Sequence, residues 1–164
     1  MSLHISKKNS SKSIFNKEIY LDFAKYILSC QDTEGGIRWE PESKLDPWDH
    51  IESAMGLDVL GFEVESRNAY NWLKTYQESD GSWQSLFHSS ETNNLKETNF
   101  SSYIAVGMWH HYTNFKDMNF LNEFWPVLDL AIEFTLSAQT EYGDLFWAKD
   151  KNNWLDDSLR TGCS

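Results

Sequence analysis

Four residues recur in the same order three times along the chain. They read Tyr26-x4-Gln31-x4-Gly36-x2-Trp39, Trp72-x4-Gln77-x3-Gly81-x-Trp83 and Phe134-x4-Gln139-x3-Gly143-x3-Trp147. An aromatic residue precedes each glutamine by five positions, and a glycine and a tryptophan follow within a short loop. Self-similarity of this kind marks a repeat architecture, in which one unit cannot bury its apolar face alone and stacks on its neighbours.

Each glutamine closes a segment with a helical apolar stripe. Ala69, Trp72, Leu73 and Tyr76 fall at i, i+3, i+4 and i+7, with Asn68, Asn71, Lys74 and Thr75 opposite. Ile19, Phe23, Tyr26 and Ile27 form a similar stripe in the first unit, and Phe124, Leu128, Ala131, Ile132 and Thr135 in the third. One dry face per helix predicts an outer layer. The segments 49–60 and 99–112 differ, being apolar or small around most of their circumference, which predicts buried inner helices. Each keeps a narrow polar stripe: Asp49, Glu52, Ser53 and Gly56 on the first, Asn99, Ser102, Tyr103 and His110 on the second. Aligning Ala54-Met55-Gly56 with Ala105-Val106-Gly107 sets Asp46 opposite Glu97. The expected order is outer, inner, outer, inner, outer, with Trp154 to Ser158 opening a third inner helix. The fold class expected is all-α: an incomplete α/α toroid of about two and a half hairpins over residues 15–164, after a disordered tail at residues 1–14. On this reading the toroid is truncated, and a chain that ended at Ser164 would have open edges suited to self-association.

The formal charge is −11, and the first fourteen residues contribute Lys7, Lys8 and Lys12 with no acid, so the body is more acidic than the whole. A body of that sign repels phosphate backbones and argues against a nucleic-acid partner. No stretch approaches the roughly 20 apolar residues of a membrane span, and the polar, Ser/Lys-rich start lacks the apolar run of a signal peptide. These features predict a cytoplasmic protein. Cys30 and Cys163 share no metal-ligand or redox spacing.

The aromatic-x4-Gln-x3-Gly-x-Trp pattern resembles the QW motif of squalene and oxidosqualene cyclases, and Trp72 to Trp83 matches it well. The resemblance implies an α/α toroid shared with protein prenyltransferase β subunits and six-hairpin glycosidases, with the Gln and Trp tying helix ends together. Asp46-Pro47-Trp48-Asp49-His50-Ile51-Glu52-Ser53-Ala54-Met55, Glu97-Thr98-Asn99 and Gly107-Met108-Trp109-His110-His111 are similar to bacterial proteins called prenyltransferase-like. That resemblance implies a transferase acting on an isoprenoid substrate in a central aromatic cavity. The cyclase acid motif Asp-x-Asp-Asp is represented only by Asp156-Asp157, and Asp-Asp-x-x-Asp is absent.

Asp46, Asp49, Glu52 and Glu97 are the candidate catalytic residues. Asp49 and Glu52 share a helix face, and Asp46 and Glu97 precede neighbouring inner helices. Paired carboxylates in an aromatic cup acquire split pKa values and serve as acid and base. They also suit Mg2+ held against a diphosphate. Asp46 and Glu97 fit a plain role as well, since acids at a helix start offset its dipole. Trp48, Asn99, Tyr103, Trp109, Trp154 and Asp157 are the candidate substrate contacts, with Phe100 beside them. Trp39, Trp83 and Trp147 are assigned to the repeat, and the adjacent His110 and His111 to structural or surface roles, since neighbours on a helix point about 100° apart. The alternative to an isoprenoid enzyme is a carbohydrate-active, six-hairpin glycosidase-like one, because carboxylates across a cleft with Trp platforms suit glycoside hydrolysis of a sugar substrate. A non-catalytic binding scaffold is the third reading.

Overall fold

The computed structural model describes residues 17–88, 93–155 and 160–161. Five helices follow one another: α1 (Lys17–Cys30), α2 (Pro47–Leu60), α3 (Glu63–Tyr76), α4 (Thr98–Phe115) and α5 (Met118–Ser137). Five short strands accompany them: β1 (Leu95–Glu97), β2 (Leu145–Phe146), β3 (Ala148–Asp150), β4 (Asn153–Trp154) and β5 (Arg160–Thr161). Helices α2 and α4 pack together as the inner layer, with α1 and α3 against α2 and α5 against α4. The result is an incomplete α/α toroid with alternating outer and inner helices.

Local chemistry sets the helix ends. Asp46 caps α2 by accepting from Asp49 N–H at 2.9 Å, and Pro47 fills the first turn, where its missing N–H costs nothing. Gly61, at φ 83°, ends the same helix in the left-handed conformation. Asp117 caps α5 through Asn119 and Phe120 N–H groups. The core runs through both layers: Ile51, Leu57, Ile104 and Met108 from the inner helices meet Tyr70, Leu73, Phe120 and Phe124 from the outer ones. Gly107 lets α4 approach closely, since a Cβ there would lie 2.7 Å from Ile51 and 2.8 Å from the Tyr70 hydroxyl.

The repeated glutamines join neighbouring outer helices. Gln31 Nε2 donates to Gly35 O at 3.0 Å in its own loop and to Glu65 O at 2.9 Å on α3. Gln77 Nε2 repeats this with Gly81 O at 3.0 Å and Val127 O at 2.8 Å on α5. Gln139 donates to Gly143 O at 3.2 Å. The glycine of the first unit is therefore Gly35 and not Gly36. It takes φ 98°, beside 88° at Gly81 and 90° at Gly143, so all three units read Gln-x3-Gly. A Cβ at Gly35 would lie 2.3 Å from Asn68 O, and one at Gly81 2.0 Å from Leu130 O. Only glycine permits both this φ and this approach to the next helix.

Three expectations need correction. Phe23 and Tyr26 are 60% and 56% exposed, and α1 buries Ala24 and Cys30 instead. Helix α1 has a described neighbour only on its α2 side, so half of its apolar stripe stays open. Second, Trp154 does not open a third inner helix. It lies in β4, which pairs with β3, and β5 pairs with β2. Phe134 and Phe146 hold its ring at 5.5 and 6.1 Å, and residues 156–158 of the expected helix lie outside the described residues. Third, the rims carry small sheets, in the order β1-β3-β4 and β2-β5. Asp157 and the proposed tail at residues 1–14 lie outside the described residues. Among the described residues no helix is long and apolar enough to cross a membrane.

Candidate active site

The four acids meet at the N-terminal end of the inner helices. Asp46 and Glu97 occupy equivalent positions as the residues before α2 and α4. They do different work there. Asp46 caps its helix with one oxygen, while the other accepts from Trp39 Nε1. Glu97 makes no side-chain cap and sits at the end of β1, opposite Ala148 on β3. The third repeat loop holds it there, because Trp147 O accepts the Thr98 N–H at 2.9 Å. The helix-start role thus fits Asp46 and not Glu97.

Asp49 and Glu52 project from the first turns of α2. Glu52 Oε1 accepts two donors, Trp48 Nε1 at 2.9 Å and the Tyr103 hydroxyl at 3.1 Å. Trp48 and Tyr103 lie face to face, 3.7 Å apart and 8° from parallel, with Phe100 beside them. This clamp crosses from α2 to α4. Asp49 shares a side-chain hydrogen bond with the Asp46 carboxyl instead. Partial loss of water raises its carboxyl above the usual range, and the Asp46 and Glu52 charges push it further. Burial also raises Glu97, with Asp46 adding to the rise and a Ser85 hydrogen bond opposing it. Asp46 therefore acts on both flanking acids.

Two cavities adjoin these groups. One, of about 400 Å³, is lined by Tyr26, Ile27, Cys30, Ile37, Arg38, Trp39, Asp49, Glu52 and Ser53. The other, of about 370 Å³, is lined by Trp39, Asp46, Trp48, Asp49, Asn99 and Phe100. Trp39 and Asp49 belong to both. The arrangement can donate a proton from Asp49 beside a fixed carboxylate at Glu52.

Of the candidate substrate contacts, Trp48 and Asn99 line the second cavity, and Tyr103 bonds Glu52, which lines the first. Trp109 does not join them. It is 64% exposed further along α4, beside Tyr112. Trp154 packs on Phe134 and Phe146 and lines neither cavity. His110 and His111 both reach Asp58, at 3.2 and 2.8 Å, which gives them the structural role expected of them. Among the described residues no group of three His, Cys, Asp or Glu side chains is placed to hold a metal ion.

Sequence reasoning passed over Trp39. Trp83, the equivalent residue of the second unit, is 1% exposed and donates to Leu73 O at 2.8 Å. Trp39 is 48% exposed and donates to Asp46 instead. The signal lay in the spacing: with Gly35 as the true motif glycine, three residues separate it from Trp39, against one between Gly81 and Trp83. The longer loop carries the indole away from the helix end.

No family model matches the chain. Over 142 residues it is 34% identical to the MMP endo-(1,4)-3-O-methyl-alpha-D-mannosidase of Mycolicibacterium hassiacum, covering 86% of this chain and 40% of that protein. The chain thus spans about two fifths of the length of the curated relative it matches. Among solved structures it resembles the cellobiose 2-epimerase of Bacillus thermoamylovorans (TM-score 0.62, 16% identity, 82% of this chain and 39% of that one). It also resembles an alpha-amylase of Clostridium perfringens (TM-score 0.58, 10% identity, 87% of this chain and 43% of that one). These likenesses show the toroid fold, and they overturn the prenyltransferase-like expectation together with its isoprenoid substrate and transferase activity. The Gln-Gly-Trp repeat misled because fastening helix to helix belongs to the fold and not to one chemistry; the proteins this chain is similar to are carbohydrate-active ones.

Proposed function

We propose that the chain builds part of a glycoside-hydrolysing site, with Asp49 as the proton donor to the glycosidic oxygen of a mannose-containing oligosaccharide. The observation that carries this reading is the raised carboxyl of Asp49, set between two aromatic-walled cavities and beside the Asp46 and Glu52 carboxylates. A general acid must still hold its proton near working pH, and like charges with partial desolvation are how proteins arrange it. As the bond to the leaving oxygen breaks, positive charge grows on the sugar ring. Glu52, fixed by Trp48 and Tyr103, is placed to oppose that charge without reorganising. The substrate class comes from the relative at 34% identity.

The test is turnover of an α-(1,4)-linked 3-O-methylmannose oligosaccharide by wild type and Asp49→Asn. The variant should lose roughly 10²–10⁴-fold in kcat with a melting temperature no lower than wild type. Wild-type turnover should fall as pH rises through the raised pKa of Asp49. An active D49N protein removes Asp49 from the role, and a wild-type chain that neither binds nor cleaves the oligosaccharide sinks the reading.

A further inference from the structure

We infer that Trp39 is a substrate platform at the junction of two sugar subsites, one in each cavity, so that the site engages two consecutive pyranose rings with the linkage between them at Asp49. The inference rests on the proposed glycoside-hydrolysing role and adds to it a specificity-determining residue and a minimum ligand length.

Three observations carry it. The first is shared lining: Trp39 and Asp49 are the two residues common to both cavities, so a bond placed at Asp49 has one ring's space on either side. Cavities of about 400 and 370 Å³ each lie within the range of small-molecule sites, roughly 300–1,000 Å³. The second is exposure. A large indole that is 48% exposed beside a cavity, when its repeat counterpart Trp83 is 1% exposed, has been taken out of the core at a cost in buried area. The third is preorganisation. Lys44 Nζ sits 3.8 Å from the centroid of the Trp39 ring and covers one face, while Asp46 accepts the indole N–H. A tryptophan needed only for packing would not be held by two polar partners at an open rim. Held in this way, the ring presents a rigid apolar surface to the C–H face of a pyranose and loses little entropy on binding. O-methylation, as in the sugar named for the relative, adds further apolar surface for such a wall.

The experiment titrates the full chain with methyl α-mannoside, then with an α-(1,4)-linked 3-O-methylmannose disaccharide and tetrasaccharide, by calorimetry. It uses wild type, Trp39→Ala and Trp39→Phe. Wild-type affinity should step up sharply from the monosaccharide to the disaccharide and little thereafter. W39A should lose roughly tenfold on the disaccharide and much less on the monosaccharide, with its melting temperature close to wild type. W39F keeps a ring and loses only the N–H to Asp46, so it should retain most of the affinity. Equal disaccharide affinity in W39A overturns the inference and leaves the glycoside reading standing. A W39A protein that unfolds also overturns it, because it assigns Trp39 to packing. A wild-type chain that binds none of the three sugars removes both readings together.

Discussion

The inner helices carry carboxylates at both ends, and the two ends treat them in opposite ways. Near the C-terminal end of α2, Asp58 has a fully buried side chain and receives His111 Nδ1 at 2.8 Å and His110 Nδ1 at 3.2 Å. Ser66 Oγ lies 3.2 Å from His111 Nδ1. At the N-terminal end, Asp46, Asp49, Glu52 and Glu97 crowd together, and among the described residues none of them forms an ion pair with a Lys or Arg; Asp49 and Glu97 hold their protons more tightly than usual. A buried carboxylate with complementary donors stabilises an arrangement. A group of acids left in mutual repulsion beside cavities has a different use, since functional sites are where a fold tolerates local conflict. The lesson is that residue type alone does not separate the two; the partners do.

That contrast can be broken by mutation, and the largest effect belongs to the satisfied end. Asp58→Ala leaves the buried His111 and the part-buried His110 without their acceptor, and should cost about 1–3 kcal/mol for each hydrogen bond lost in urea denaturation. A loss below about 1 kcal/mol would place Asp58 outside the stabilising set.

A second measurement uses His50, another satisfied interior group. Its Nδ1 accepts Ile37 N–H at 2.9 Å and its Nε2 contacts Ala69 O at 3.0 Å, which assigns the hydrogen to Nε2. Burial lowers its pKa to about 4 from 6.5. The sign follows: the unfolded chain takes up a proton near pH 6.5 and the folded one does not until about pH 4. Stability is therefore complete above pH 6.5 and falls between pH 6.5 and 4, by about 3 kcal/mol from this residue alone. Denaturation midpoints that do not move between pH 7 and 4.5 would contradict it.

The helix-tying glutamines offer a graded comparison. Gln77→Ala removes two hydrogen bonds that bridge a loop and α5, and should cost about 1–3 kcal/mol. Gln139→Ala removes one contact at an exposed position and should cost under about 0.5 kcal/mol. Equal losses would show that the bridge to the next helix carries none of the effect.

The smallest effect falls at the crowded end. Asp49 has a raised pKa in the fold, so the native state binds its proton more tightly than the unfolded chain does. Its contribution is most favourable at low pH and is lost as pH rises through the raised value. Asp49→Asn should therefore be slightly more stable than wild type at pH 7 and indistinguishable at pH 3. A variant less stable at pH 7 would mean that Asp49 is satisfied after all, and the distinction between the two ends would fail.

Much of the fold was legible in the residues. The stripe Ala69, Trp72, Leu73 and Tyr76 is the packed face of α3, with the first three buried and Tyr76 partly so. The largely apolar segments became α2 and α4, because a helix with only a narrow polar stripe has mostly the interior to occupy. Phe23 and Tyr26 were misread since a helical stripe records which face is apolar and not whether a neighbour covers it. The site was legible in part. The spacing of Asp49 and Glu52 and the alignment of Asp46 with Glu97 bring four acids together. Trp109 and Trp154 show that an aromatic on or beside an inner helix is not thereby in the cavity.

What the sequence determined by itself is local and periodic. It set which segments form the five described helices and which layer each belongs to, because hydrophobic period and capping are decided within a few residues. Only the tertiary structure decided how a carboxylate or an indole is used. Asp58 is satisfied by histidines 52 and 53 positions away, Glu52 by a tyrosine 51 away, and Trp39 leaves its repeat role for a carboxylate seven residues on. Burial, repulsion and hydrogen-bond satisfaction are properties of neighbours in space, and those neighbours come together only when the helices pack.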